Sequence, residues 1–456
     1  MKYYASFRLR LIIAAFICAA VIPIYSQTKL QTRVIAANLN VPWEIIWGED
    51  GNIWFTERDG SISYINPTNG QIREIAKFDD THQQSESGML GMAIDRDNGI
   101  THIYVVYNYR VSGQIMEKVV SFDYNGSGIT DPKVLLQGIK GGSIHNGSRI
   151  WLAPDKTLYV TTGETGDGPL AQNRNSLNGK ILRLKTDGTI PSDNPTPGSY
   201  IWTLGHRNGQ GLVFAKGKLY ESEHGPSNDD EINIIEKGRN YGWPNVEGYC
   251  NTSEEKAFCA ANNVVEPIYT WTPTIAPSGL EYYDSDLIPE WRNCLLLATL
   301  KGSRIVALKL NDEGTAIENA TEYFVGEFGR LRDLCIAPDG RVYVSTSNYD
   351  NNSNSNKIIE IKPENMNAPE PVKTPPPKKE NTGSGFRVFP NPAVDYICVD
   401  NYMENISQEK IEIFDSIGGR IAPTFFSSNT IDLSGFAPGV YFISNGRAAL
   451  PFAVIR

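Results

Sequence analysis

The chain has 456 residues, a formal net charge of −10 and 40% hydrophobic residues, so it is long enough for more than one domain and for a sizeable core. The acidic balance argues against a nucleic-acid-binding protein, because contact with a phosphate backbone requires clustered Lys and Arg. With 41 glycines, 10% aromatic residues and only 21% charged residues, the composition favours many short strands joined by turns.

The first 26 residues are predicted to be a secretory signal peptide. A basic start is followed by the apolar run 11–24, which is shorter than a membrane-spanning helix. Cleavage after Ser26 leaves Gln27 at the mature N-terminus. An uncleaved membrane anchor is the alternative.

Export makes disulfide bonds available to the mature chain. Cys250 and Cys259 flank a short polar loop and are predicted to pair, with two free thiols as the alternative. Cys294 and Cys335 lie in apolar, strand-like runs. They either pair across neighbouring strands or remain buried free thiols.

Residues 27–363 are predicted to form a six-bladed β-propeller, so the fold class is all-β. An apolar strand, a turn rich in Asp, Asn and Gly, and a second strand with aromatic alternation recur, as in GNIWFT, KTLYVT, GKLYES and GRVYVS. About six such units follow one another at roughly 40 to 70 residues, the spacing of four-stranded propeller blades. The segment 32–39 is expected to supply the strand that closes the ring. A pair of β-sandwiches is the alternative, but it would not repeat one theme six times.

A linker rich in Pro, Lys and Glu, residues 364–385, separates the propeller from the C-terminal part of the chain. Its composition cannot bury a core, so we expect it to be extended. Beyond it, residues 386–456 alternate apolar and polar positions between Gly and Pro turns. This pattern predicts a small β-sandwich.

The C-terminal segment resembles the sorting domain of the type IX secretion system. The matching motifs are FPNP (389–392), FDSIGG (414–419) and LSGFAPGVY (433–441). The resemblance implies export through the periplasm to the cell surface or the medium, with the type IX machinery as partner. The end of the chain, 452–456, lacks the usual lysine-rich finish, and a β-sandwich that binds carbohydrate or cell wall is the alternative.

Three histidines lie in glycine-rich loops beside predicted strands: His145, His206 and His224. A lone histidine in such a loop is more often a hydrogen-bonding anchor than a catalyst. Three in one propeller favour a cavity that at least one of them faces. His82 and His102 lie in polar or strand contexts and are expected to be structural or solvated.

Four cations lie beside glycines at predicted blade boundaries: Arg207, Lys301, Arg330 and Arg332. Loops at blade boundaries converge on one face of a propeller. Four converging cations in an acidic protein would bind a polyanionic ligand through charge-assisted hydrogen bonds. Local ion pairs are the alternative for each one.

The segment GPSNDDEINII brings Asp229, Asp230 and Glu231 close to Gly225 and Pro226. Such oxygen-rich loops suit Ca²⁺, which accepts carboxylates and backbone carbonyls together. The spacing is not that of an EF-hand. Zinc-dependent hydrolysis and phosphoryl transfer lack support, because the chain has no HExxH, CxxC, nucleophile-elbow or Walker motif.

The propeller resembles the soluble glucose and aldose sugar dehydrogenases that use pyrroloquinoline quinone (PQQ), the glucose/sorbosone dehydrogenase family. The resemblance covers about residues 36–362 and rests on many motifs in the same order. These motifs are ESGMLGMAID (86–95), HNGSRI (145–150), LNGKILRLKTDGTIPSDNP (177–195), GHRNGQGL (205–212), ESEHGPSNDDEINII (221–235), GRNYGWPNVEGY (238–249), WTPTIAPSG (271–279), LKGSRI (300–305) and GRLRD (329–333).

The resemblance implies the oxidation of an aldose sugar at C1 to the lactone, with hydride transfer to PQQ. His145 matches the general base, a role that suits imidazole near neutral pH. Arg207 and Asn208 match residues that contact the quinone oxygens. The positions that match residues holding or lying near PQQ are Lys301, Arg330, Arg332 and Glu86. Electrons are expected to pass to a soluble or membrane acceptor that the sequence does not identify.

The resemblance also implies calcium. Gly225 and Pro226 match the residues whose main-chain carbonyls hold the Ca²⁺ that polarises the quinone. Asp230, Glu231 and Tyr241 match a second, structural Ca²⁺ site.

The chain departs from the glucose enzyme in two places. Ile144 stands where that enzyme has an Asp, and the loop that carries Cys250 and Cys259 is short. The short loop points to the broader aldose-dehydrogenase branch, and the sugar is left open. A non-catalytic propeller that binds carbohydrate or protein and a calcium-dependent lactonase are the two alternatives.

Overall fold

A computed structural model of the protein describes residues 27–348, 355–366, 386–389, 396–401, 411–415, 419–422, 424–425, 430–433, 435–444 and 449–454. The chain divides into two compact units, Met1–Asn367 and Ala368–Arg456. The predicted signal peptide and most of the predicted linker lie outside the described residues. Within the described ranges, no helix has the length and apolar character needed to cross a membrane.

The described part of the first unit contains six four-stranded antiparallel sheets. Its strands are β1 (Leu30–Leu39), β2 (Pro42–Trp47), β3 (Ile53–Glu57), β4 (Ser61–Ile65), β5 (Ile72–Lys77), β6 (Met89–Asp97), β7 (Ile100–Val111), β8 (Gln114–Tyr124), β9 (Lys133–Lys140), β10 (Gly147–Leu152), β11 (Thr157–Thr162), β12 (Lys180–Lys185), β13 (Ile201–Leu204), β14 (Gly209–Ala215), β15 (Lys218–Glu223), β16 (Asp230–Ile235), β17 (Tyr269–Trp271), β18 (Pro277–Tyr283), β19 (Cys294–Thr299), β20 (Arg304–Leu310), β21 (Ile317–Tyr323), β22 (Leu331–Ile336), β23 (Val342–Thr346) and β24 (Asn356–Pro363).

Each sheet is one blade, and the blades form a closed ring. Blades 1 to 5 are β2–β5, β6–β9, β10–β13, β14–β17 and β18–β21, and blade 6 is β22–β24 with β1 added at its outer edge. The first strand of every blade contacts the first strands of both neighbouring blades. These six strands therefore surround a common axis, and the predicted six-bladed propeller is confirmed.

The N-terminal strand closes the ring, as the sequence predicts. β1 pairs antiparallel with β24, from Leu30 opposite Pro363 to Leu39 opposite Asn356. The closure joins the two ends of the propeller chain in one sheet. An ion pair of 3.1 Å between Arg33 and the fully buried side chain of Glu360 crosses the same pair of strands.

Adjacent blades bury a hydrophobic core between them. Ile150 and Leu182 of blade 3, for example, pack against Ala93 and Val106 of blade 2 in one buried cluster. Central strands are buried on both faces, as in β19, where every residue is buried. This burial explains why the sequence repeats apolar strands with little polar alternation.

A buried ion cluster joins the blades at the axis. Arg149 of β10 pairs with Glu44 of β2 and, at 3.1 Å, with Asp333 of β22. Its Nε donates to the carbonyl oxygen of Gln210 in β14 at 2.8 Å. The Arg149 guanidinium also lies 4.4 Å from the ring centre of Trp43.

One α-helix, α1 (Ser253–Asn262), interrupts the strands of blade 4 within the described ranges. Thr252 caps its N-terminus and forms a capping box with Glu255. The predicted disulfide between Cys250 and Cys259 is present and fastens this helix to the loop before it. Two short 3₁₀ helices occupy Gly168–Gln172 and Pro289–Trp291.

Cys294 and Cys335 remain free and buried. The two thiols lie in different strands, β19 and β22, and each occupies an apolar position. The sequence left two interpretations open, and the structure agrees with buried free thiols.

The second unit is a small β-sandwich. Two four-stranded sheets share one buried core, which includes Ile397 and Ile431 of one sheet and Ile413 and Phe452 of the other. Its strands are β25 (Phe386–Phe389), β26 (Tyr396–Asn401), β27 (Glu412–Asp415), β28 (Arg420–Ile421), β29 (Thr424–Phe425), β30 (Thr430–Asp432), β31 (Gly439–Ser444) and β32 (Ala449–Val454).

Removal of β1 is expected to destabilise the whole propeller. A chain that begins at Asn40 leaves the β24 edge unpaired and loses the buried side chains of Ile35 and Leu39, which contribute about 1.5–3 kcal/mol each. We expect a loss of at least about 4 kcal/mol, measured by chemical unfolding followed by circular dichroism. A chain that begins at Lys29 keeps the strand and is the control. Equal stability of the two chains would contradict closure by β1.

Candidate active site

The antiparallel topology places two kinds of loop at one end of the propeller. The start of the first strand and the loop between the second and third strands lie at the same end of every blade. Residues from all six blades line a cavity there. They include Trp43, Glu86, Gln210, His224, Arg330 and Arg332.

His145 precedes the first strand of blade 3 and has a left-handed backbone, with φ of 52°. Such a conformation is uncommon for a residue with a side chain, and it is found preferentially at functional sites. The backbone N–H of His145 donates to Glu86 Oε2 at 2.9 Å. A Cβ atom at Gly163 would lie 1.9 Å from the His145 carbonyl oxygen, so only glycine allows this close approach.

Glu164 fixes the orientation of the His145 ring. The Nδ1 atom lies 2.8 Å from Glu164 Oε1, and the Glu164 side chain is almost fully buried. The second carboxylate oxygen accepts the backbone N–H groups of Gly166 and Asp167, the latter at 2.9 Å. Because the carboxylate accepts the Nδ1 proton, the other ring nitrogen, Nε2, is left as the proton acceptor.

Glu223 holds the backbone of Arg207 and Asn208. Its Oε1 atom accepts the backbone N–H groups of both residues, at 3.1 Å from the Asn208 nitrogen. The Arg207 guanidinium lies 5.3 Å from the ring centre of Trp243, and its Nη1 donates to the His224 carbonyl oxygen at 3.2 Å. The loop before β14 is thereby fixed at both its backbone and its side chain.

The Arg207 side chain is half-buried and incompletely bonded. Its Nε atom has no hydrogen-bond partner in the described part of the protein. Burial lowers the pKa of the guanidinium, and the charges of Glu164 and Glu223 oppose that effect. Arginine nevertheless stays protonated in proteins, so Arg207 offers a half-buried positive charge. Asn208 is buried, and its Oδ1 accepts the Gly147 N–H at 3.0 Å.

His224 separates the axial cavity from a narrow cleft beside it and lines both. Its Nε2 donates to the Pro277 carbonyl oxygen at 2.8 Å. Burial, followed by the positive charges of Arg332 and Arg207, lowers the pKa of His224 to about 3. This histidine is therefore neutral at physiological pH.

Three predicted cations surround the cavity end of the propeller at different depths. Arg332 is buried and donates Nη1 to Gln210 Oε1 at 2.8 Å. Arg330 is half-buried and donates Nε to the Ser347 carbonyl oxygen at 3.2 Å. Lys301 is exposed at the rim, where its Nζ donates to Thr274 Oγ1 at 2.8 Å.

The cleft beside the cavity is lined by Arg207, Gly225, Pro226, Glu231 and Tyr241. The structure therefore brings the two glycine–proline carbonyl positions within one enclosure with Arg207. Glu223, a residue that the sequence analysis did not single out, also lines the cleft.

The side chains of Asp230 and Glu231 make different contacts. Successive side chains of a strand point to opposite faces, and the two residues open β16. The Asp230 carboxylate accepts the backbone N–H groups of Gly225, Ile275 and Ala276 at 2.5–2.8 Å. It is thus occupied as a brace for the Gly225 loop, on the side of the sheet away from Glu231.

Glu231 and Tyr241 lie on the cleft side. Glu231 accepts the Gly248 N–H and the Asn233 side-chain amide, each at 3.0 Å, and burial together with Glu223 raises its pKa to about 8. The Tyr241 hydroxyl donates to the Ile234 carbonyl oxygen at 2.7 Å. Burial raises the pKa of that hydroxyl, so any metal contact by Tyr241 falls to its main-chain carbonyl.

Sequence reasoning missed Glu164 and Glu223. Both are carboxylates at or just after the second strand of a blade, in TTGETG and ESEHG. The signal was available, because the repeat places that loop at the cavity end of every blade. Their partners, His145 and Arg207, lie 19 and 16 residues away, a separation that no local motif reveals.

A propeller that gathers an oriented histidine and several cations at one end of its axis has the organisation of a cofactor-dependent enzyme. The chain belongs to the Glucose / Sorbosone dehydrogenase family, whose model matches residues 39–356, and is therefore an oxidoreductase. The C-terminal part matches the model for the secretion system C-terminal sorting domain over residues 387–448, which supports secretion.

Relatives and solved structures agree with this family. The chain is 31% identical to quinoprotein glucose dehydrogenase B of Acinetobacter calcoaceticus, over 71% of this chain and 86% of the relative. It is 27% identical to an aldose sugar dehydrogenase of Escherichia coli, over 75% and 95% of the two chains. The PQQ-bound aldose sugar dehydrogenase of Streptomyces coelicolor is 32% identical, with a TM-score of 0.63 over 74% of this chain and 98% of that one.

The assignment of Asp230 as a brace is testable by Asp230→Asn. The NH₂ group of the asparagine side chain would then face backbone N–H donors. We expect a loss of about 1–3 kcal/mol of folding stability, measured by chemical unfolding in the presence of EDTA. Asp229→Asn, at the next position but with a partly exposed side chain, is the control and should change stability less. An unchanged stability of Asp230→Asn without metal, together with a weaker response to Ca²⁺, would instead indicate a calcium ligand.

Proposed function

We propose that this protein oxidises an aldose at C1 to the lactone, with PQQ as the electron-accepting cofactor and Ca²⁺ as its metal. The observation that carries the proposal is the pair formed by His145 and Glu164, which leaves one histidine nitrogen available as a base at the cavity end of the propeller. A module that only binds carbohydrate or protein has no use for a histidine held in this way.

The cations fit a small polyanionic cofactor. Arg207 is half-buried, carries a positive charge, and has an Nε atom without a hydrogen-bond partner among the described residues. Arg332 and Arg330 line the cavity itself, and Lys301 lies at its rim. These are the residues that would hold the PQQ carboxylates and ring, with Arg207 and Asn208 on the quinone side.

The main-chain carbonyls of Gly225 and Pro226 would hold the calcium that polarises the quinone. Support comes from Asp230, which fixes the Gly225 backbone through its N–H at 2.8 Å. A second calcium would use the Glu231 carboxylate and the Tyr241 carbonyl in the neighbouring cleft. Asp230 acts in this scheme as a brace for the loop.

The chain supplies the base and the charge stabilisation. His145 Nε2 takes the proton from the anomeric hydroxyl, and Glu164 holds the imidazole in that tautomer and stabilises the imidazolium that forms. Arg207 places a fixed positive charge where negative charge develops. When bound, PQQ accepts the two electrons and the hydrogen that leave the sugar C1 as a hydride equivalent.

The proposed substrate specificity is broad. Ile144, next to the base, is 39% exposed and offers an apolar surface in place of a hydrogen bond to a particular sugar hydroxyl. This feature favours a dehydrogenase of several aldoses over one that is strict for glucose. The product electrons pass to an acceptor outside the chain, and the protein acts at the cell surface or in the medium after type IX export.

The acids at the axis disfavour the lactonase alternative. Glu44 and Asp333 lie there and are buried. Both carboxylates are ion-paired with Arg149. A guanidinium between them occupies the position that a catalytic metal would need.

The decisive experiment reconstitutes purified apoprotein with PQQ and Ca²⁺ and follows dye reduction with a panel of aldoses. Activity that requires both additions supports the proposal. His145→Gln should keep PQQ binding, measured by absorbance titration, and lose about 10²–10⁴ in kcat. His102→Gln, which removes a half-exposed histidine bonded to Asp123, is the matched control. Absence of PQQ binding by the wild type would refute the proposal.

Glu164→Gln tests the orientation of the base separately. A carboxamide has only one oxygen, so it cannot accept both the Nδ1 proton and the Gly166 and Asp167 N–H groups. The tautomer with its proton on Nδ1, which leaves Nε2 as the base, is then no longer stabilised. We expect kcat to fall about 100-fold or more with KM and PQQ binding little changed. The ring nitrogen that carries the proton is measurable by ¹⁵N NMR.

Asp167→Asn, in the same loop but with an exposed side chain, is the control for this experiment. A Glu164→Gln protein with normal kcat and an unchanged tautomer would show that the carboxylate does not position His145.

A further inference from the structure

The interior of blade 4 contains a cluster of buried polar groups, and among them only Glu223 has a role assigned above. Ligand atoms of His206, Glu221 and Glu223 all lie within 4.8 Å of one another, and all three residues are buried. His206 Nδ1 is 2.9 Å from Glu223 Oε2 and 3.6 Å from Glu221 Oε1. One imidazole nitrogen and two carboxylates thus converge on one point.

Two further atoms at this cluster lack hydrogen-bond partners. Glu221 is fully buried, and its Oε1, the atom that faces His206, accepts no hydrogen bond from the described residues. Asn233 is also fully buried and donates to Glu221 Oε2 at 3.2 Å, while its own Oδ1 has no partner within the same residues. Buried polar atoms are normally bonded, so two unbonded oxygens at one place indicate a missing positive ligand.

The protein itself supplies little positive charge there. Among the described residues, no Lys or Arg forms an ion pair with Glu221 or Glu223, and His206 is their only ion-pair partner. Two carboxylates without a cation are costly in a buried position.

His206 is oriented as metal-ligating histidines usually are. Its Nε2 lies 2.8 Å from Thr203 Oγ1, and its Nδ1 lies 2.9 Å from Glu223 Oε2. A metal would take the place of the proton on Nδ1, with the ring proton on Nε2 donated to the Thr203 hydroxyl. The ring stacks on Tyr241 at 4.6 Å between centres, which fixes its plane. Nδ1 is the nitrogen directed at the two glutamates.

We propose that His206, Glu221 and Glu223, with the Asn233 carboxamide beside them, bind one divalent transition-metal ion of the Zn²⁺ or Mn²⁺ class. An imidazole nitrogen combined with carboxylates favours these ions over Ca²⁺, which prefers an all-oxygen set of six or more ligands. Ligand atoms about 3.5 Å apart suit metal bonds of about 2.0–2.2 Å, and the 3.6 Å between His206 Nδ1 and Glu221 Oε1 already has that size.

The metal would act as a structural support for the cofactor loop. Glu223 uses Oε2 towards His206 and Oε1 towards the backbone N–H groups of Arg207 and Asn208. A metal on the Oε2 side would therefore stiffen the carboxylate that positions Arg207. The site differs from the calcium positions proposed at Gly225, Pro226 and Glu231.

The competing explanation is a proton shared between Glu221 and Glu223. A protonated Glu221 could donate to the Glu223 carboxylate and leave no charge to balance. Glu221→Gln separates the two explanations, because glutamine has the shape of a protonated glutamate and removes only the negative metal ligand.

The experiment uses the full chain, treated with EDTA and then dialysed against excess Ca²⁺ to fill oxygen-only sites. Zn²⁺ or Mn²⁺ is added separately, and bound metal is counted by inductively coupled plasma mass spectrometry after gel filtration. We expect the wild type to retain one equivalent and to melt roughly 5 °C higher or more with the metal. Glu221→Gln should bind it about 100-fold more weakly and lose the melting shift.

Glu117→Gln is the matched control. Glu117 is an equally buried glutamate that bonds to Ser148 Oγ at 2.7 Å, away from the cluster, and its variant should retain the full equivalent. The proposal is overturned if the wild type retains neither Zn²⁺ nor Mn²⁺, if only Ca²⁺ binds, or if Glu221→Gln binds the metal as the wild type does. The wild-type measurement decides the question even if the variant fails to fold.

Discussion

The buried ion cluster at the propeller axis is the interaction on which the rest of the structure depends. Arg149 bonds to Glu44 in blade 1, Asp333 in blade 6 and the Gln210 carbonyl in blade 4, while it belongs itself to blade 3. Glu44 also accepts the N–H of Met92 in blade 2 at 3.3 Å. Removal of one member of such a buried set leaves an uncompensated charge and costs about 3–5 kcal/mol, so the cluster specifies one arrangement of five blades.

The cluster also links the fold to the site. Arg149 is four residues from His145, on the strand whose first residue, Gly147, lines the cavity. Trp43 stacks with Arg149 at 4.4 Å and with Arg332 at 5.4 Å and so joins the axial charges to the cavity wall. A site assembled from loop residues is thereby held by the first strands of the blades, which are its most rigid supports.

The sequence predicted the fold well because the fold repeats. Six copies of one strand pattern predict six sheets, and the extra strand at β1 is the one that a closed ring requires. Local spacing also predicted the disulfide of Cys250 and Cys259, which are nine residues apart. These features depend on period and proximity along the chain, both of which a single sequence shows directly.

The site was predicted less completely, because its contacts join distant loops and depend on side-chain direction. The sequence grouped Asp230 with Glu231 as neighbours, but the pleat of β16 sends the first to the Gly225 loop and the second to the cleft. It placed His206 correctly in a loop, between β13 and β14, but it did not predict that the ring is buried against Glu223.

The arrangement of acids explains how a protein of net charge −10 presents cations to its cavity. Glu164 and Glu223 lie beside the site, and each accepts backbone N–H groups and contacts a histidine. Neither forms an ion pair with Arg207 in the described structure. The acids therefore stabilise the loops that carry Arg207 and His145 without neutralising the guanidinium, and the positive charge remains available to a ligand. The same carboxylates act as positioning groups because each accepts backbone N–H groups of these loops.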